Sequence, residues 1–267
     1  MTDIRSRHVL ITGAAGGIGS AMAREFAEAG ARLSLVDIDA DGLESTAQSI
    51  LSPVEPPETF VCDLSDREAI DELIDAVHDG FGAVDLLVNN AGMVCGGRYD
   101  EIDDEADEAL LDVNVRAVHR LTKGFLGDVK SGGGHLVQVA SAAGLLGVPY
   151  QAAYSASKWF VVGLSEALRQ ELKQEGYGDV GVTVVCPSLV DTEMFEGSEP
   201  PLLTSTLQPE FVAGRVVEAV RQDEPYVKEP FMVKTLPVLQ ALLPPEALDF
   251  LADLLGATDI MDDWQGH

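Results

Sequence analysis

Residues 8–30 read HVLITGAAGGIGSAMAREFAEAG, and the order of residue types in this stretch decides the architecture. His8 to Thr12 is a short apolar run with Val9 and Ile11 in it. The glycine cluster Gly13 to Gly19 follows, and then an amphipathic stretch from Ser20 to Ala29 that stops at Gly30. That order predicts a strand, a tight turn and a helix. Downstream the same cycle repeats. Arg32 to Val36 predicts a second strand ending at Asp37, with a helix over Asp41 to Ile50. Thr59 to Cys62 predicts a third strand closing at Asp63, with a helix over Asp66 to His78. Val84 to Val88 leads into Asn89-Asn90-Ala91-Gly92. A helix over Asp104 to Lys130, a strand over His135 to Ala140, a helix over Ala153 to Glu175 and a strand over Gly181 to Cys186 complete the series. Strands alternating with helices at this spacing imply right-handed crossovers and a doubly wound α/β parallel sheet with helices on both faces.

Beyond the last predicted strand the pattern weakens. Proline and acidic residues thicken between Glu193 and Glu229, so this segment is expected to be a surface excursion, a substrate lid with a short helix over Pro209 to Arg221. From Phe231 to Leu255 the chain is apolar again, broken by Pro237, Pro244 and Pro245, which predicts short packed helices within a C-terminal packing segment, residues 230–267. The 267 residues are expected to form a single domain, with residues 1–192 as cofactor and catalytic core.

Charge narrows the function classes. The chain has 45 Asp and Glu against 17 Lys and Arg, a formal net charge of −28. Nucleic acid is excluded as a partner, because a polyanion needs Lys and Arg to displace its counterions. With six Lys against eleven Arg and acids spread along the whole chain, the acidic surface suggests adaptation to high salt, where screening relieves self-repulsion. Cys62, Cys95 and Cys186 are too few and too far apart for a disulfide framework or a zinc site, and His8, His78, His119, His135 and His267 show no ligand spacing, so no metal is expected. A polar start, Met1 to Arg7, and the lack of an apolar span point to a cytoplasmic protein without a membrane crossing. Asp100 to Glu108 holds seven acids in nine residues, which reads as a solvated helix start favoured by the macrodipole.

The glycine cluster carries the first chemistry. A strand, a glycine turn and a helix aim backbone N–H groups and a helix N-terminus at a diphosphate. Gly13 permits the sharp exit from the strand, while Gly17 and Gly19 let phosphates and neighbouring backbone come close. Asp37 ends the second strand 24 residues after Gly13, where a carboxylate can accept from a ribose 2′-hydroxyl and would repel a 2′-phosphate. Ile38 stands where a basic residue would help hold that phosphate, so NAD is favoured over NADP. Asp63 repeats the logic at the adenine end.

Taken together, Thr12-Gly13-x-x-x-Gly17-Ile18-Gly19, Asp63, Asn89-Asn90-Ala91-Gly92, Asn114, Ser141 and Tyr154-x-x-x-Lys158 resemble the classical short-chain dehydrogenase/reductase family from about Val9 to Thr192. The Tyr-Lys pair begins thirteen residues after the serine. Gly13, Gly16 and Gly19 also fit the longer, epimerase-like branch; length and the Tyr-Ser-Ala-Ser-Lys wording favour the classical one. The resemblance implies a Rossmann-type subunit that transfers hydride between NAD(H) and an alcohol or carbonyl substrate. It implies Asn114, Ser141, Tyr154 and Lys158 as the catalytic tetrad. The cofactor set is then Gly13, Gly16, Gly17, Ile18, Gly19, Asp37, Ile38, Asp63, Leu64, Asn90, Ala91, Gly92, Tyr154, Lys158, Pro187, Val190 and Thr192. By the same resemblance Lys158 also contacts the nicotinamide ribose, Asn114 anchors a water in a proton relay, and helices 104–130 and 153–175 build a homodimer or homotetramer. The family usually has Pro-Gly where this chain has Pro187-Ser188.

A Tyr with a pKa near 10 is a poor base at neutral pH. Tyr154 and Lys158 lie four apart on one helix face, so the ammonium is expected to favour the phenolate, with the oxidised nicotinamide as a second cation. Lowering the phenol by about three pH units takes roughly 4 kcal/mol. Ser141 would orient the substrate oxygen. Leu145, Leu146, Val148 and Met194 flank the expected site and hint at a hydrophobic substrate such as a steroid, an acyl chain or a retinoid-like molecule. An NADP-linked reductase and a non-catalytic dinucleotide sensor on the same fold are the other readings.

Overall fold

The computed structural model describes residues 2–50, 55–195, 197 and 205–256. The chain begins β1 (His8–Thr12), α1 (Gly17–Glu28), β2 (Arg32–Asp37), α2 (Ala40–Ser49), β3 (Glu58–Val61), α3 (Arg67–Asp79) and β4 (Leu86–Asn89). It continues α4 (Asp104–Leu111), α5 (Val118–Gly132), β5 (His135–Val139), α6 (Ala152–Gln174), β6 (Gly181–Pro187), α7 (Pro209–Gln222), β7 (Tyr226–Glu229), α8 (Phe231–Leu242) and α9 (Pro245–Leu254). The strands form one parallel sheet in the order β3-β2-β1-β4-β5-β6-β7. Strand order reverses between β1 and β4, which opens a crevice beyond their carboxyl ends.

Side-chain alternation explains why both faces are covered. In β1, Val9 and Ile11 enter one apolar layer and Leu10 the other; in β4, Leu86 and Val88 oppose Leu87 in the same way. The first layer is closed by Met22 and Phe26 of α1 with Val212, Val216 and Val220 of α7. The second is closed by Ile70 and Leu73 of α3, with Leu121 and Phe125 of α5.

Three expectations change. The stretch 209–229 is part of the sheet layers and not a lid: α7 buries its apolar face against α1, and β7 pairs with β6 as the edge strand. Of the rest of the expected lid, 196 and 198–204 lie outside the described residues, and Leu207 is buried in the core beside Val190. The C-terminal segment is packed only in part: Val233 and Leu236 of α8 join a core cluster, whereas α8 and α9 leave Phe231, Leu242 and Phe250 exposed at 71%, 75% and 68%. Residues 257–267 of that segment lie outside the described residues. Finally, the helix expected over 104–130 is interrupted by a π-helical turn, Asp112–Ala117, between α4 and α5.

The acid run 100–108 starts α4 as expected. Asp103 accepts from the Glu105 and Ala106 N–H groups, and Asp104, Glu105 and Asp107 occupy the first turn. Among the described residues no helix is long and apolar enough to cross a membrane.

Candidate active site

A cleft of about 1490 Å³ runs across the carboxyl ends of the strands. Nearly every residue singled out in the sequence lines it: Gly13, Gly16, Gly17, Ile18, Asp37, Ile38, Asp63, Leu64, Asn90, Ala91 and Gly92, together with Ser141, Tyr154, Lys158, Pro187, Val190 and Thr192. Gly19 and Asn114 do not line it; both are buried just behind it.

The glycine turn is shaped for close approach. Gly13 has φ +66°, and a Cβ there would meet Ala91 Cα at 2.8 Å. At Gly19 a Cβ would stand 1.8 Å from the Gly13 carbonyl oxygen, so this glycine lets the helix fit against the strand exit. Helix α1 starts at Gly16 without a side-chain cap or an acid in its first turn, leaving its N–H groups for an anion. Asn90 is committed to the scaffold, because its Nδ2 donates to the Thr12 and Gly13 carbonyls at 2.9 and 3.1 Å while Thr12 Oγ1 accepts its backbone N–H. It holds the turn in place.

At the other end of this turn, Asp37 Oδ2 accepts the Ala15 N–H at 2.9 Å and Oδ1 accepts the Asp39 N–H at 3.1 Å. Asp39 and Asp63 line the same end of the cleft. Three carboxylates there make a rim hostile to a further phosphate. A nicotinamide dinucleotide fits this lining: a glycine cradle that a Cβ would fill, open helix N–H groups and a carboxylate beside the second strand.

Ser141, Tyr154 and Lys158 come together although they arise from different elements. Ser141 lies two residues past β5 and caps the short turn Ala142–Gly144 by accepting the Ala143 N–H at 3.1 Å. Tyr154 and Lys158 stand on the first turns of α6, both buried. Lys158 Nζ donates to the Val139 carbonyl at 3.2 Å and lies 5.6 Å from the centroid of the Tyr154 ring. Burial pushes the Tyr154 phenol up to about 12, against a hydrogen bond from Ser141 that lowers it. Burial likewise pushes the Lys158 ammonium down to about 8. Desolvation is thus the leading influence on the phenol in the protein's own environment, and the expected lowering falls to the lysine and the oxidised nicotinamide acting together.

Asn114 sits in the π-helical turn with no exposed surface. Its Oδ1 accepts the Met93 N–H at 2.8 Å, and its Nδ2 donates to the Met93 carbonyl at 2.9 Å and to Ser157 Oγ at 3.0 Å. The widened turn aims this amide inward, a use of π-turns common near functional sites.

The substrate half of the cleft is lined by Met93, Ala109, Val113, Leu189, Met194 and Phe195. Of the four flanking residues read from the sequence only Met194 lines it. Leu145 is buried in the cluster beneath α8, where its carbonyl accepts from Gln240, and Val148 packs beside Tyr154 without reaching the opening. Sequence proximity to Ser141 misdirected the choice, whereas Met93 and Val113 could have been found beside the Asn-Ala-Gly turn and Asn114.

The family model described as short chain dehydrogenase matches residues 7–202. Among curated proteins, the human epidermal retinol dehydrogenase 2 is 35% identical over 264 residues, covering 97% of this chain and 85% of its own. The estradiol 17-beta-dehydrogenase 11 of Macaca fascicularis is 37% identical over 244 residues, covering 91% and 81%. A short chain dehydrogenase/reductase from Burkholderia phymatum in complex with NAD superimposes with TM-score 0.80 at 27% identity, covering 94% of this chain and 97% of its own. A short-chain dehydrogenase from Sphingobium yanoikuyae in complex with NADPH gives TM-score 0.78 at 26% identity, covering 92% and 95%.

Proposed function

Because the chain belongs to the short-chain dehydrogenase/reductase family, whose members move a hydride between a nicotinamide dinucleotide and an alcohol or carbonyl carbon, we propose that it does so with NAD(H), an apolar alcohol or ketone, and Tyr154 as general acid/base. The observation that carries this reading is the convergence of Ser141, Tyr154 and Lys158 on the cleft that the glycine turn also lines.

In carbonyl reduction the protonated phenol of Tyr154 delivers its proton to the substrate oxygen, and the rise toward 12 keeps that proton in place at neutral pH. In alcohol oxidation the same oxygen accepts the proton, and the phenolate must then be stabilised. Lys158, at about 8, is still mostly charged at pH 7 and supplies one cation. NAD, when bound, would supply the hydride acceptor and, in its oxidised form, a second positive charge. Ser141 orients the substrate oxygen, and Asn114 forms the next polar step behind Lys158 for proton exchange with solvent.

NAD, not NADP, is favoured by Asp37 with Asp39 and Asp63 at the adenosine end. The apolar lining by Met93, Val113, Leu189, Met194 and Phe195 favours a hydrophobic substrate. The relatives named for retinol and estradiol point to the same chemical class. Absorbance of NADH formed from NAD with retinol, estradiol and ethanol in parallel tests both halves. Faster turnover with ethanol, or with NADP in place of NAD, would overturn the corresponding half.

A further inference from the structure

We propose that Ser157 is a positioning residue for proton transfer, acting through Asn114 to hold an acceptor beside Lys158; the inference rests on the tetrad reading above. Ser157 lies between Tyr154 and Lys158 on α6 and is 1% exposed. Its Oγ donates to the Tyr154 carbonyl at 2.7 Å. With its only proton so committed, it meets Asn114 as an acceptor and takes the Nδ2 proton at 3.0 Å.

This bond closes a clamp on the Asn114 amide. One Nδ2 proton goes to the Met93 carbonyl, the other to Ser157, and Oδ1 takes the Met93 N–H. Rotation of the amide would break all three bonds together. Among the described residues Oδ1 accepts only the Met93 N–H, which leaves one lone pair. A Cβ placed on Gly92 would stand 3.2 Å from both Asn114 Oδ1 and Lys158 Nζ, so acceptor and ammonium border the same small space. Ser157 thereby ties three pieces of chain, the turn after β4, the π-helical turn and the first turns of α6, into the geometry that presents Oδ1 to the lysine. Removing the hydroxyl leaves one buried Nδ2 proton without its acceptor and the amide held by Met93 alone.

A weaker hold on Lys158 disfavours the Tyr154 phenolate, so the pH of half-maximal alcohol oxidation should rise. The test is a double-mutant cycle on the full chain with Ser157→Ala, Asn114→Ala and the pair, with Ser157→Cys as a near-isosteric variant should alanine fail to fold. Melting temperature and the Kd for NADH, read by fluorescence, accompany kcat, KM and the pH profile. Ser157→Ala should lower kcat about tenfold, the worth of one buried hydrogen bond. KM and the NADH Kd should stay within about twofold, and the pair should be no worse than Asn114→Ala alone. Losses that multiply in the pair, or a loss in Ser157→Ala with an unmoved pH profile, overturn the inference while leaving the tetrad intact. If Asn114→Ala itself leaves kcat and the pH profile unchanged, the tetrad reading of Asn114 fails, and the inference with it.

Discussion

The Lys158 ammonium stands over the ring of Tyr154, 5.6 Å from its centroid, with both side chains buried in the same wall. Burial acts on the two in opposite directions, raising the phenol and lowering the ammonium, so each is held closer to its neutral form. A cation over an aromatic face adds an attraction that does not depend on the hydroxyl. The ring and the proton can thus be separated by mutation. Tyr154→Phe keeps the ring under Lys158 and removes only the transferable proton. Turnover should fall by about a thousandfold or more, with the NADH Kd changed less than about threefold. Residual activity within tenfold of the parent would reassign the acid/base.

Asp37→Ala should relax cofactor choice. Removing the carboxylate takes away a ribose acceptor and lowers the repulsion of a 2′-phosphate, so the ratio of kcat/KM for NAD to that for NADP should drop by about tenfold. The Ala15 and Asp39 N–H groups also lose their acceptor, and a lower melting temperature should accompany the switch. A parent protein that already prefers NADPH would refute the assignment.

A buried histidine gives the protein an acid limit away from the cleft. His135 Nε2 faces Thr183 Oγ1 at 2.8 Å, and that hydroxyl donates to the Glu224 carbonyl, so the ring serves as a neutral donor. Burial lowers His135 from 6.5 to about 4, although Asp223 opposes the shift. A group depressed in the folded state contributes stability that is complete above its unfolded pKa and lost as pH falls toward the folded one. Between pH 6.5 and about 4 the unfolded chain binds the extra proton, and the loss amounts to roughly 3 kcal/mol by linkage. Denaturant unfolding at a series of pH values should show this slope, and His135→Gln should flatten it. Equal slopes in the two proteins would remove His135 as the cause.

How much of this was legible in the sequence differs by element. The glycine turn, Asp37, Ser141 and the Tyr154–Lys158 pair were legible because each depends on local spacing along a strand end or a helix face. Strand β7 was not: Tyr-Val-Lys-Glu is four residues long with two charges, and only pairing with β6 makes it a strand. Helix α7 was found nearly to its ends but placed in an excursion, since nothing in its own sequence tells that its valines meet α1. The π-helical turn at Asn114 uses the same residue types as an α-helix, so its inward aim emerges only with Met93 and Ser157 in place. For α8 and α9 the apolar pattern predicts packing, yet hydropathy alone does not specify a partner surface, and Phe231, Leu242 and Phe250 stay exposed.

Salt dependence follows from the charge count. The net charge of −28 makes the folded surface repel itself, and raising KCl shortens the Debye length from about 10 Å at 0.1 M to about 3 Å at 1 M. The same screening weakens surface ion pairs such as Arg120 with Asp71, Lys130 with Glu175, and Arg215 with Glu218. Surface pairs of this kind contribute little to stability. With 45 acids against 17 bases most carboxylates have no cation to lose, so relief of repulsion outweighs the weakened pairs. Melting temperature should therefore climb steadily as KCl is raised from about 0.1 M toward about 3 M, well past the point where ordinary screening saturates. A flat or falling series would mean that the ion pairs dominate and that the acidic surface is no adaptation to salt.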